Sequence, residues 1–352
     1  MFSSLPFSYM FLAVMGMGTL FSLSSLHWLG IWAGLEINLI GFLPLLVYQK
    51  KSMESESAVK YFVVQAIGSS FLIFGSLLVY SISFTWESFN DSYMTSMVGF
   101  IMMISGLSIK LGLFPFHFWL PSVMAGLSWI TCLLLATWQK LAPMFLMASL
   151  LESSNSYWLI TLLCFMSAGS ALVGGIGGMN QTQIRALLAY SSIAHLGWIL
   201  FALVHGEWVM KTYLMIYIMV SLCVFTSLWF SDSSVIKNLD NLKDSSFIQM
   251  SIMLMLLSLG GLPPLLGFIS KLMVVLSSMN SPYMAFLFVL ILGSLMSLFY
   301  YLNLFFSINL SSSKKHSLIG FYMNYNPILL AIILINLLGG LFILFSNSLL
   351  MF

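Results

Sequence analysis

Charge is what this sequence has least of. Only 6% of its 352 residues are Asp, Glu, Lys or Arg, while 60% are apolar, against about 25% charged in a soluble domain. Twelve basic and ten acidic side chains cannot solvate the surface of so long a chain, which excludes a soluble globular fold. A net charge of +2, without any Lys/Arg cluster interleaved with aromatics, excludes nucleic acid as a partner. Cysteine is scarce too: Cys132, Cys164 and Cys223 lie far apart within apolar runs. They make no CxxC motif and no disulfide framework, so they read as small hydrophobes. Zinc, haem and iron–sulfur ligand spacings are missing, as are the alternating decamers of a β-barrel. The start, MFSSLPFSYMFLAVMGMG, has no basic n-region and no A-x-A site, so it reads as a first span rather than a cleaved signal.

Long apolar runs are what is there. A span needs about 20 mostly apolar residues to cross hydrocarbon, and its backbone must be satisfied within the segment, so each is expected to be a helix. Polar breaks delimit eleven candidates: about 4–24, 26–48, 57–82, 93–118, 122–151, 157–178, 183–205, 208–230, 247–279, 282–309 and 326–350. The expected fold is an all-α polytopic membrane protein, a single membrane domain over 1–352.

Loop charge orients it. With the N-terminal side named A, Lys50, Lys51, Lys60, Arg185, Lys237, Lys243, Lys314 and Lys315 fall on A, and Lys211 alone on the other side. By the positive-inside rule A is the cytoplasm-equivalent side, the matrix in a mitochondrion, and an odd span count puts the C-terminus opposite. Spans four and nine are interrupted in a matched way, by Pro115 and by Gly260, Gly261, Pro263 and Pro264. Proline removes a backbone donor, so both are expected to be broken helices. Pro115 and Pro264 are about five spans apart, which suggests two five-helix repeats, 4–151 and 157–309, followed by a C-terminal helix at 326–350. Five being odd, the repeats would be inverted. The run GGIGG at Gly174 to Gly178 ends a helix and follows no strand, so it is no dinucleotide loop.

Four ionisable side chains sit deep in spans: Glu36, Lys110, Lys140 and Lys271. Glu36 is about 15 Å into span two, near mid-bilayer, and none of the lysines is close enough to an end to snorkel easily. Each would cost about 2.5–3.5 kcal/mol facing lipid, so they must face one another, water or broken-helix backbone. Structural glue, one lysine paired with Glu36, is the plain reading, but one acid cannot neutralise three lysines. A lysine withdrawn from water loses affinity for its proton, and a carboxylate at about 4 Å restores about 4 kcal/mol at an effective dielectric of 20. Moving the acid therefore switches the base between holding and releasing a proton. His117, at the break of span four, and His195, in span seven, are candidate bridges. Hydrogen-bonded packing histidines are the alternative for both. His27, His205 and His316, at span ends or in loops, read as solvated, and Arg185 as a matrix-side anchor.

The runs WAGLEINLIGFLPLL around Glu36, KLGLFPFHFWLPSV from Lys110, WQKLAP around Lys140, NQTQIRALLAYSSIAHLGW from Asn180 and GGLPPLLGFISK ending at Lys271 occur in order across most of the chain. Together they resemble the subunit 2 family among the antiporter-like membrane subunits of mitochondrial NADH:ubiquinone oxidoreductase, respiratory complex I, in its shortened animal form. The resemblance implies a core membrane-arm subunit of the mitochondrial inner membrane. It makes Glu36 and Lys110 the coupling pair, Lys140 the connecting site and Lys271 the second-half lysine of a proton relay. It also implies that NADH, FMN, the iron–sulfur clusters and ubiquinone belong to other subunits, with no cofactor or metal bound here and no redox chemistry on this chain. The implied partners are other membrane-arm subunits and phospholipid, with cardiolipin a candidate. A stand-alone cation/proton antiporter and a purely structural membrane scaffold are the competing readings.

Overall fold

The computed structural model describes residues 7–48, 51–83, 94–153, 156–231, 246–263 and 265–313, with six positions between 331 and 339. The expected C-terminal helix at 326–350 lies mostly outside the described residues, as do Lys50, Lys237, Lys243, Pro264, Lys314, Lys315 and His316. The described residues form helices and no strand. They group into two compact units, Met1–Leu163 and Cys164–Phe352.

The first unit contains α1 (Ser8–Ser24), α2 (Trp28–Leu46), α3 (Ser52–Ser83), α4 (Met94–Leu111), α5 (Trp119–Gly126), α6 (Trp129–Ala136) and α7 (Trp138–Ser153). Next, α8 (Tyr157–Gly178) leads into the second unit. There follow α9 (Ile184–His205), α10 (Glu207–Ser231), α11 (Ser246–Gly260), α12 (Leu266–Ser278) and α13 (Met284–Ser313). Among the described residues, seven helical stretches are long and apolar enough to cross a membrane, the run Trp129–Ser153 through α6 and α7 being one of them. The shorter apolar helices include both sides of the interruption between α11 and α12.

In lipid, apolar side chains gain little by touching each other, so helices are held by close backbone packing at small residues. Helices α3 and α4 show this. A Cβ at Gly106 would stand 2.7 Å from the Gly68 carbonyl oxygen, and one at Gly75 would stand 2.7 Å from that of Gly99. Each helix thus presents two glycines seven residues apart, one per two turns, on the facing side. Helix α2 meets α1 in the same way: a Cβ at Gly41 would reach 2.7 Å from the Met15 amide nitrogen. The GGIGG run finds its use here, since Gly175 meets the Gly293 carbonyl of α13 and Gly174 the backbone of α9. Replacing Gly106 with valine is expected to force α3 and α4 apart, costing more than the usual 1–3 kcal/mol of overpacking because the obstacle is backbone. The thermal midpoint of the assembled protein should fall by several degrees or assembly should fail; an unchanged midpoint would contradict the packing.

The two interruptions share one construction. At the end of α4, Gly112 has φ +75°, its N–H reaches the Ile109 carbonyl at 3.3 Å, and the Leu113 N–H reaches that of Ser108 at 3.0 Å. At the end of α11, Gly261 has φ +80°, its N–H reaches Ser258 at 3.1 Å, and the Leu262 N–H reaches Leu257 at 3.3 Å. This is the Schellman pattern, which needs a left-handed residue that glycine supplies without a Cβ penalty. Glycine, not proline, thus ends both helices. Pro115 lies three residues past Gly112, behind a cis Phe114–Pro115 bond.

Two sequence expectations need correction. Helix α4 stops at Leu111, short of the expected 118; helix resumes at Trp119 beyond the break, and the next apolar stretch begins at Trp129. The expected fifth span, 122–151, is itself interrupted, at Leu127–Ser128 and at Thr137. Pro143 lies inside α7 and, having no N–H, cannot bond the carbonyl of Gln139, four residues back.

Candidate functional site

In the first unit, α2 carries Glu36 and the last turn of α4 carries Lys110. The Lys110 Nζ lies 3.8 Å from the Glu36 Oε1, with side-chain exposures of 4% and 26%. Glycine at position 68 makes room for the lysine stem, because a Cβ there would stand 3.1 Å from the Lys110 Cγ. At 3.8 Å the attraction is Coulombic and not a hydrogen bond, and the Glu36 Oε1 accepts none among the described residues. A carboxylate held only by charge can part from its partner without breaking a directional bond.

The broken end of α4 supports this pair. Helix termini leave carbonyls without intrahelical donors. Here the Trp119 indole donates to the Ile109 carbonyl at 3.1 Å, and the Gln65 amide donates to that of Lys110 at 3.4 Å. Helix α3 therefore holds Lys110 by its backbone as well as its stem. His117 lies in the break, buried, its ring 4.1 Å from that of Phe118 and 6.3 Å from that of Phe114. Its Nδ1 has no hydrogen bond among the described residues.

Lys140 is 5% exposed, on the first turn of α7. The preceding residue, Gln139, exchanges two hydrogen bonds with Asn38: the Asn38 Nδ2 donates to the Gln139 Oε1 at 2.8 Å, and the Gln139 Nε2 donates to the Asn38 Oδ1 at 3.2 Å. The Tyr61 hydroxyl also reaches the Gln139 Oε1, at 3.5 Å.

In the second unit, Lys271 is half-buried on α12 and its Nζ donates to the Gly260 carbonyl, at the broken end of α11, at 2.9 Å. A Cβ at Gly261 would stand 3.0 Å from that Nζ. On the other side of the break, the first amide of α12, at Leu266, donates to the Asn336 Oδ1 at 3.4 Å. His195 is buried on α9, its Nδ1 3.0 Å from the Tyr213 hydroxyl and its ring 5.3 Å from that of Tyr217. His195 is thus a packed, hydrogen-bonded histidine.

Several polar residues of these clusters escaped the sequence: Asn38, Tyr61, Gln65, Gln139, Tyr213 and Asn336. None carries a charge that would stand out in an apolar run. Asn38 and Gln139, each two or fewer residues from a buried charge, had a signal in the cost of placing an amide in hydrocarbon. Glu54 is 3% exposed in the first turn of α3, where the positive end of the helix dipole favours it. His205 was read as solvated and is half-buried, packed edge-on against Phe201 at 4.6 Å. Most serines in the helices donate to a carbonyl three residues back, as Ser167 does to Cys164 at 2.7 Å, so serine abundance marks no path of its own.

The profile of the family described as NADH:quinone oxidoreductase/Mrp antiporter, TM, matches residues 25–299. The NADH-ubiquinone oxidoreductase chain 2 of Lumbricus terrestris is 39% identical over 293 residues, covering 83% of this chain and 83% of that one. The Xenopus laevis protein of the same name is 41% identical over 300 residues, covering 84% of each chain. Among solved structures, respiratory complex I from Thermus thermophilus with bound aureothin contains a similar chain: TM-score 0.80, 24% identity, 95% of this chain and 76% of that one. The Mrp complex from Dietzia sp. DQ12-45-1b contains another, with TM-score 0.76, 16% identity, 85% of this chain and 60% of that one. At those identities the two structures speak for the fold alone.

Proposed function

Since this chain belongs to the NADH-ubiquinone oxidoreductase chain 2 family, we propose that it is a membrane-arm subunit of respiratory complex I that moves protons through a buried acid–lysine relay. It is an integral multi-pass membrane protein of the antiporter-like type. NADH oxidation and ubiquinone reduction take place on other subunits, which hold the FMN and iron–sulfur clusters, and this chain contributes no cofactor ligand. Its place is the mitochondrial inner membrane, N-terminus in the matrix and C-terminus in the intermembrane space. Its spans form two inverted five-helix repeats, about 4–151 and 157–309. The matched Schellman ends at Gly112 and Gly261 support the repeat. The other membrane-arm subunits and phospholipid, cardiolipin included, cover exposed apolar side chains such as Met17, Leu20, Phe62 and Phe74.

The observation that carries this reading is the Glu36–Lys110 pair: a 3.8 Å contact with no hydrogen bond on Oε1, at a helix end already opened by a glycine. The pair holds the Lys110 proton when closed and loosens it when open. Lys140 is the acceptor within the first repeat, Lys271 serves the second, and His117 and His195 are bridging groups beside the breaks.

The test is Lys140→Ala in the assembled complex, with NADH:quinone turnover and proton uptake measured together. The relay predicts that one or both fall about tenfold or more, as a loss of roughly 1.4 kcal/mol or more in the coupled step. Lys211→Ala is the control, since that lysine forms an exposed i,i+4 pair with Glu207, and such pairs contribute little. An unchanged rate and proton-to-electron ratio in Lys140→Ala would reject the relay and leave a scaffold.

A further inference from the structure

Asn38 and Gln139 make a two-bond amide pair between helices 101 residues apart in sequence, with exposures of 3% and 9%. Buried amides have to satisfy both their oxygen and their nitrogen; a reciprocal pair does so and also fixes the two side chains in distance and angle. Each partner stands close to a charge. Asn38 is two residues beyond Glu36 on α2, and Gln139 directly precedes Lys140 on α7. We propose that Asn38 and Gln139 are positioning residues, whose amide pair ties the rotation of α2, and with it the reach of Glu36 towards Lys110, to the helix turn that carries Lys140.

The geometry supplies the lever. Residues two apart on a helix point about 200° from each other, so Asn38 holds α7 on one side of α2 while Glu36 works on the other. Turning α2 about its axis by about 20° moves a side-chain base by roughly 1 Å. That is enough to stretch the 3.2 Å bond past the hydrogen-bond limit unless Gln139 follows. Gln139 is free to follow. Its turn comes just after the interruption at Thr137, and Pro143 removes the N–H that would bond its carbonyl. What moves Gln139 therefore moves Lys140.

Tyr61 guides the same element. Its hydroxyl meets the Gln139 Oε1 at 3.5 Å, and its ring stands edge-on to Phe42 of α2 at 5.4 Å and tilted to Trp119 at 5.7 Å. Trp119 also caps Ile109, beside Lys110. The opening of the acid–lysine pair and the placement of Lys140 are thus one motion of the first unit, not two independent events. This inference rests on the relay reading and adds to it the device that couples its first two sites.

The experiment uses the assembled complex in sealed vesicles, with protons translocated measured against NADH oxidised. The variants are Asn38→Leu, Gln139→Leu, the double leucine variant, and the exchange Asn38→Gln with Gln139→Asn, which keeps the combined side-chain length. Each single variant is expected to lower proton translocation at least threefold, the double no further than the worse single, and the exchange to return to within twofold of the unmodified protein. A pair that merely packs would tolerate the double leucine and gain nothing from the exchange. Single variants within twofold of the unmodified protein, or an exchange that assembles without recovery, overturn the proposal. Should a single leucine prevent assembly, the double variant, which strands neither amide, carries the test, and unchanged pumping in it overturns the proposal. Lys140→Ala measured alongside separates the two levels: if it is silent the relay itself falls, and if it alone acts only the positioning role falls.

Discussion

Glu36→Gln should slow coupled NADH:quinone turnover by about tenfold or more while leaving the complex assembled. The substitution keeps the shape of the side chain and removes the charge 3.8 Å from the Lys110 Nζ. At an effective dielectric of 20 that charge is worth about 4 kcal/mol to the ammonium, discounted here because Glu36 is a quarter exposed. An unpaired ammonium that is 4% exposed costs several kcal/mol to keep, so the switch would lose the partner that closes it. Steady-state turnover, with the level of assembled complex as control, checks this. Normal turnover would mean that Lys110 does not depend on Glu36.

Lys271→Met is the second large effect. Methionine keeps the unbranched stem that lies against Gly261 but removes the ammonium that donates to the Gly260 carbonyl at 2.9 Å. Two losses coincide. A carbonyl at a broken helix end is left without its charged donor, worth about 1.5–3 kcal/mol, and the second unit loses the lysine assigned to its relay. Proton translocation should drop by an order of magnitude, with a smaller fall in thermal midpoint. If only the midpoint falls, Lys271 is a cap and not a relay site. Arginine is not expected to rescue, because its planar fork cannot take the place of a point charge beside a glycine.

The parts of this protein that were legible in the sequence are those where cost is large and local. Charges in apolar runs are expensive, so Glu36, Lys110, Lys140 and Lys271 stood out before any coordinates. So did both interruptions, Gly261 among the residues that marked the second, although Pro115 drew attention to a first break that Gly112 makes. Helix type followed from lipid alone. Illegible were the residues whose meaning is a partner. Asn38 and Gln139 are ordinary until they face each other across 101 residues. The extra interruption at Thr137 was hidden within a stretch apolar enough to pass as one span. Hydropathy reports the wish to leave water; it does not report which helix supplies the hydrogen bond.

The most direct measurement is a structure of the assembled complex in lipid at a resolution that shows ordered water. Water should touch the Glu36 carboxylate and the Nζ of Lys110, Lys140 and Lys271, in chains that continue to further polar groups such as Gln139, His117 or His195. Four dry side chains, each sealed in hydrocarbon with no water within hydrogen-bonding distance, would contradict proton transfer through them.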